Sequence, residues 1–245
     1  MEAPLVADRP DPIDLLLDQE QDRLDWLLPV RHSRMAVSAF TFYRGAAAVM
    51  AADLARQPHS GVMVQLCGDA HLLNFGFYGT PERQLLFDLN DFDETHPGPF
   101  EWDVQRLAAS MVLAARDLNL SVKQQEKVCR RTVRAYAKAM AGWTTNRAGY
   151  QDYWRQFRDW KLSVDVSVLD AEGLTDYGRL CAWTLAKAHA RSGDRGAICN
   201  AIGSPKAFAA TVLEQAVVHA DQAQLDYQLL LTRIASGEIS TSAVH

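Results

Sequence analysis

The chain lacks any run near the roughly 18 consecutive apolar residues that a membrane span requires, and its acidic N-terminus has no apolar signal-like core. These absences lead us to expect a cytoplasmic protein that does not enter a membrane. Cysteine is scarce. Cys67, Cys129, Cys181 and Cys199 lie far apart, with no C-x-x-C pair and no histidine at zinc-finger spacing. That pattern excludes a disulfide framework and a zinc finger, and it suits a reducing compartment. Basic charge is also short, with 25 Lys and Arg against 30 Asp and Glu and a net charge of −5. A broad nucleic-acid face, which needs clustered cations, is not expected. The one local basic group, Arg130, Arg131 and Arg134, reads as the solvated face of a helix. Glycine and proline number only 14 and 9, no segment is of low complexity, and no repeat recurs. With 48% hydrophobic and 22% charged residues, the 245-residue chain has the composition of an ordinary globular protein.

Periodicity then places the elements. A helical stretch from Ile13 to Leu28 can set Leu15, Leu16, Trp26 and Leu27 on one face, and Pro29 is expected to stop it. Arg31, His32 and Arg34 fall in a connector, and the Ala-rich run from Phe42 to Arg56 reads as one helix ending before Pro58. The segment from Val62 to Cys67 is β-branched and bounded by Gly61 and Gly68, and that from Gln84 to Leu89 is similar. Together they are expected to flank the loop GDAHLLNFGFYG as a hairpin-like unit. Beyond Phe100 the pattern is helical over 101–117, 122–141, 174–191 and 205–236. Ser121 and Gln124 form a capping box, Ser204 and Pro205 open the last helix, and Gly237 closes it. The aromatic group Tyr150, Tyr153, Trp154, Phe157 and Trp160 reads as core packing.

Chemistry concentrates between Cys67 and Asp103. Phosphoryl transfer from a nucleotide asks little of a protein beyond one carboxylate to orient the attacking hydroxyl and a few oxygen ligands to hold Mg²⁺ against the phosphates. Asp69 and Asn74 are separated by four residues, the interval of the kinase catalytic loop H-R-D-x-x-x-x-N. Asp91 follows the second strand, where a metal-holding carboxylate is required, and Asp93 lies two residues on; Asp88, within the strand, would point to the opposite face from Asp91. Asp69 is thus the candidate catalytic residue, and Asn74, Asp91 and Asp93 are candidate Mg²⁺ ligands. His71 is either a hydrogen-bonding member of the loop or a second catalytic group. Arg44 either reaches the loop to compensate its carboxylates and hold the nucleotide or lies on a helix surface. His189 and Arg191 are placed at a helix C-terminus, where positive charge opposes the dipole.

The GDAHLLN string resembles the GDxHxxN loop of aminoglycoside and choline phosphotransferases. DFDETHPGPFEWD resembles their metal-binding segment, with Asp103 capping the following helix and holding the loop. At closer range, RMAVSAFTFYRGAAAVMAADLA, VQLCGDAHLLNFG, FDLNDFDETHPGPFEWDVQRLAAS and LAKAHARSGD resemble the bacterial family known as domain of unknown function 2252. The resemblance implies an α+β, predominantly helical fold like the C-lobe of a protein kinase, with a small catalytic hairpin. It also implies Mg²⁺ and ATP as cofactors and a hydroxyl-bearing small molecule as acceptor. The chain departs from the family in one section. The Gly-rich turn and lysine of the nucleotide lobe, expected near 143–150, are missing, no Gly-x-Gly occurs, and all six lysines lie in helical or loop contexts. A single, internally shortened domain with little or no N-lobe is therefore expected. Three readings follow: a phosphotransferase, completed or not by a protein partner or second copy; a non-catalytic pseudokinase-like binding or regulatory module; or a metal-dependent phosphohydrolase built on Asp69, His71, Asp91 and Asp93.

Overall fold

A computed structural model of the chain describes residues 9–21, 23–79, 85–142 and 164–242. The aromatic group from Tyr150 to Trp160 lies outside them. The fold is α+β and mostly helical, with two short antiparallel ribbons set against the helices.

The first helix, α1 (Pro12–Gln19), is opened by Asp11, whose carboxylate accepts from the Ile13 and Asp14 amides, and it buries Ile13 and Leu16. It does not run on to Leu28 as the periodicity suggested, and Trp26 stays 72% exposed. The reason is side-chain pairing across the break. Glu20 turns inward, accepts from Arg31 Nε at 3.0 Å, and sits 2.8 Å from His32 Nε2. Pro29 then occupies the first turn of α2 (Leu28–Met35), where a missing N–H leaves nothing unsatisfied, so it opens a helix rather than closing one. Arg31, His32 and Arg34 are thereby helical, not part of a connector. The Ala-rich run likewise splits into α3 (Ala39–Gly45) and α4 (Ala47–Leu54) at Ala46, with φ −116° and ψ 45°. Gly45 is wedged against Met35, and its carbonyl accepts from Arg31, so the helical ladder is interrupted there.

The Glu20–His32 pair makes a pH prediction. Burial opposes ionisation of Glu20, but the bonds from His32 and Arg31 outweigh it and hold the carboxyl below its ordinary 4.5. The Glu20 bond raises His32 above 6.5 despite burial. A histidine raised on folding stabilises fully below its unfolded value and loses that contribution as pH climbs through the folded one; Glu20 loses its contribution only as pH falls below about 4.5. Melting temperature should therefore decline as pH rises above about 6.5 and through the raised pKa of His32, by about 2–4 °C, and His32→Gln should flatten that slope.

Strand β1 (Met63–Leu66) alternates exposed and buried residues. It does not pair with the other strand recognised from sequence. Instead β1 pairs with β4 (His96–Pro99), in the register Met63 to Pro99, and β2 (Phe75–Gly79) pairs with β3 (Leu85–Leu89), Phe75 facing Leu89. The loop between the two expected strands thus supplies a strand of its own. This topology brings two loops together. The chain leaves β1 for β2 through residues 67–74 and leaves β3 for β4 through 90–95, so both loops bridge the same two ribbons and must run side by side.

Helix α5 (Phe100–Asp117) is the spine of the core, buried from Asp103 to Ala115. Around it pack α6 (Val122–Gly142), α7 (Ala171–Ser192) and α9 (Pro205–Ala235), while the short α8 (Arg195–Ile202), which the sequence pattern did not announce, contacts α6. At the start of α6, Ser121 and Gln124 meet as expected, though through the Ser121 amide and hydroxyl both donating to Gln124 Oε1. Ser204 caps α9, and Gly237 beyond its end takes φ +81°. No helix of the described residues is long and apolar enough to cross a membrane. The four cysteines are free.

Candidate functional site at the paired loops

Three polar residues stand out in the apolar surface of α5. Asp103, Arg106 and Ser110 recur at i, i+3 and i+7, and so share one face of the helix. All three are turned to the first loop. The Asp103 carboxylate accepts from the Cys67 amide at 2.7 Å and the Gly68 amide at 3.1 Å, Arg106 Nε donates to Asp69 Oδ1 at 2.7 Å, and Ser110 Oγ accepts from the Leu72 amide at 3.0 Å. Asp103 therefore holds the loop, as its family position implied, but does not cap the helix, whose N-cap is Pro99.

Behind Asp103 the polar chain continues. His189 Nε2 lies 3.0 Å from Asp103 Oδ2 and its Nδ1 lies 2.8 Å from the Tyr136 hydroxyl. His189 is wholly buried, so its task is to satisfy this network and not to sit as a solvated cation at the helix end. From α7, the Tyr177 hydroxyl lies 2.9 Å from the carbonyls of both Leu72 and Phe75. Gly68 has φ +84°, and a Cβ there would fall 2.0 Å from the Glu94 carbonyl, so the two loops touch at a point only glycine can occupy.

Asn74 ties the loops together. Its Nδ2 donates to the carbonyls of Asp69 and Asp91 at 3.0 and 3.2 Å, and the Asn90 amide donates to the Asn74 carbonyl at 3.0 Å. The second loop is closed by Asp91 Oδ1, which accepts from the Asp93 amide, and by Thr95 Oγ1, which donates to the Leu66 carbonyl at 2.6 Å. Asp69, His71, Asp91 and Asp93, all singled out from sequence, are thus gathered on one wall of a cavity of about 770 Å³, with Glu94 beside them. Arg44 lines the same cavity. Asp88 points elsewhere, 3.5 Å from Lys187 Nζ.

The electrostatics are uneven. Asp69 is 13% exposed and ion-paired with Arg106, which is nearly inaccessible, donates a further bond to the Tyr43 carbonyl, and lies 4.1 Å above the Tyr43 ring. This fork fixes Asp69 Oδ1 and leaves Oδ2 as the oxygen turned to other partners. His71 Nε2 lies 3.5 Å from Oδ2 while its Nδ1 accepts from the Leu73 amide. That contact assigns the ring proton to Nε2, and burial pushes the pKa of His71 down to about 4, so the ring is neutral near pH 7. Burial, then the charges of Asp69 and Asp91, raise Glu94 above 4.5. Burial lowers Arg44, against the pull of Asp69.

Among the described residues no three of His, Cys, Asp and Glu converge as a ready metal cage. Mg²⁺ keeps several waters and takes one or two carboxylates together with ligand phosphates, and Asp91 and Asp93 offer such a pair of hard oxygen donors. A transition-metal hydrolase site, which needs its ligands preassembled, is less well matched, because Asp69 is already committed to Arg106.

Sequence reading missed Arg106, Tyr43 and Glu94. For Arg106 a signal existed: a lone cation inside the apolar run VQRLAASMVLAA, one turn from Asp103.

Fold and site together define an α+β, mostly helical protein with a carboxylate-rich loop pair buried against a polar stripe of its central helix. The chain belongs to the family described as uncharacterized protein conserved in bacteria, domain of unknown function 2252, whose model matches residues 23–148 and 140–233. No curated protein and no solved structure matches the chain significantly.

Proposed function

We propose that the chain is a kinase-like phosphotransferase domain that transfers the γ-phosphoryl group of a Mg²⁺-bound nucleotide to the hydroxyl of a small molecule. The observation that carries this reading is the disposition of Asp69: one oxygen is fixed by a buried arginine and the other is left out of that ion pair, in a residue that lines a cavity together with Asp91 and Asp93. Asp69 Oδ2 orients the acceptor hydroxyl and takes its proton as the new O–P bond forms. The bond from phosphorus to the bridging oxygen then breaks, and a nucleoside diphosphate leaves. Asp91 and Asp93, with Asn74 holding their loop, are the residues that would bind Mg²⁺, whose charge offsets that of the phosphates. Neutral His71, with its Nδ1 occupied, has no lone pair to offer as a base and serves to orient Asp69.

The likeness to a kinase C-lobe rests on the Asp69–Asn74 spacing, the order of loop, hairpin and metal carboxylate, and the helical body behind them. A non-catalytic binding module is the second reading. It is favoured by the absence of Gly-x-Gly and, among the described residues, of a strand-borne lysine, and the two family-matched stretches meet near 140–148, where the sequence suggests a missing section. Mg²⁺ with ATP should raise the melting temperature of the protein, and Asp91→Ala should abolish the rise while leaving the unliganded melting temperature within about 1–2 °C, as expected for an exposed loop residue. A wild-type protein indifferent to Mg²⁺ and ATP would sink the nucleotide part of the proposal.

A further inference from the structure

We infer that the wall of the cavity built by α1 to α3 is a phosphate-binding surface on which Arg34 and Arg44 hold the phosphate groups of the ligand. The inference rests on the phosphotransferase reading and deepens it, for it names the groups that stand in for the absent glycine turn and lysine.

Both signs of charge line the cavity. Asp69, Asp91, Asp93 and Glu94 supply the negative groups, and Arg23, Arg31, Arg34 and Arg44 the positive ones. The four arginines are not equivalent. Arg31 is spent on Glu20 and on the Gly45 carbonyl, both within the fold. Among the described residues, the guanidinium groups of Arg23, Arg34 and Arg44 have neither an ion pair nor a hydrogen bond, although carboxylates line the same cavity. Buried Glu20 thus neutralises the inward-facing cations and leaves the outward-facing ones unmatched.

Unpaired guanidinium groups around a concave space are suited to an anion, and their planar fork matches the oxygens of a phosphate. A polyphosphate alone would be repelled by the carboxylate wall. Bridged to that wall by a divalent cation, it would present its remaining oxygens to the arginines, and both signs of charge would be met in one cavity. The cavity volume of about 770 Å³ suits a ligand of nucleotide size. Arg44 leads this wall, because among Arg23, Arg34 and Arg44 it is the one whose charge interacts with Asp69, beside the carboxylates.

The test is calorimetric titration of the full chain, in Mg²⁺, with ATP, inorganic tripolyphosphate, glycerol phosphate and adenosine. The proteins compared are wild type, Arg34→Gln, Arg44→Gln, their double variant, and Arg130→Gln/Arg131→Gln as a control with equal loss of charge away from the cavity. ATP and tripolyphosphate should bind and adenosine should not. Each cavity arginine removed should weaken binding about tenfold, the loss of one charge-assisted hydrogen bond, with the control unchanged. Arginine-dependent binding of glycerol phosphate but not of tripolyphosphate would keep the phosphate wall and assign it to the acceptor. Unaltered affinity in the double variant, equal weakening in the control, or no binding of any phosphate compound would overturn the inference. The underlying reading fails separately: arginine-dependent binding without Asp69-dependent turnover keeps the wall and removes the transferase, and the reverse pattern removes the wall alone.

Discussion

Asp103→Ala is expected to destabilise the protein by about 3–5 kcal/mol, the range for stripping one partner from a buried, hydrogen-bonded charge network. The carboxylate is 1% exposed and accepts from two backbone amides, Cys67 and Gly68, while pairing with His189. Alanine leaves one buried and one part-buried N–H group without acceptors, a penalty of about 1–3 kcal/mol for the buried one, and cuts His189 and Tyr136 loose from their anchor. Asp103→Asn retains an acceptor oxygen and should lose roughly half as much. Urea denaturation measures both, and amide exchange at Cys67 and Gly68 should rise in step. A loss under about 1 kcal/mol for the alanine variant would show that the loop is not held from α5.

The second large effect concerns Asp69. Its removal as a proton acceptor should lower turnover by about 10²–10⁴-fold, the usual contribution of a general base. The choice of substitution decides what is learned. Asp69→Ala leaves Arg106, 2% exposed, with no carboxylate partner, so lost activity would be mixed with a stability loss of about 3–5 kcal/mol. Asp69→Asn keeps an oxygen for Arg106 Nε to donate to, so the loop stays in place while the carboxylate is gone. Arg106→Met makes the converse change. It should destabilise strongly, because the buried Asp69 carboxylate loses its cation and the Tyr43 carbonyl keeps only the Ala46 amide as donor.

The parts legible in the sequence are those set by local pattern. The 101–117, 122–141 and 205–236 helices and the two β-branched runs are close to α5, α6, α9, β1 and β3, because periodicity and caps act over a few residues. The pairing of the strands was not legible. HPGP carries little strand propensity, and it becomes β4 only because β1 lies beside it; β2 was hidden in a loop for the same reason. The break between α1 and α2 turns on Glu20, whose partners lie 11 and 12 residues away.

At the site, spacing gathered Asp69, His71, Asn74, Asp91 and Asp93 in advance. It could not show that Asn74 spends its amide nitrogen on two carbonyls or that Arg106 holds Asp69, since both depend on which elements pack together. His189 shows the same limit. Its place at a helix end suggested a dipole partner, whereas packing of α7 against α5 makes it a buried link to Asp103.

The most direct test of the account is nucleoside diphosphate formation by wild type and Asp69→Asn, measured side by side with Mg²⁺, ATP and a panel of hydroxyl-bearing acceptors. The account predicts Mg²⁺-dependent formation by the wild type and a fall of at least about 100-fold in the variant at equal folded fraction. Equal rates in the two proteins, or no diphosphate formed by a wild type that nonetheless binds Mg²⁺ and ATP, would contradict it.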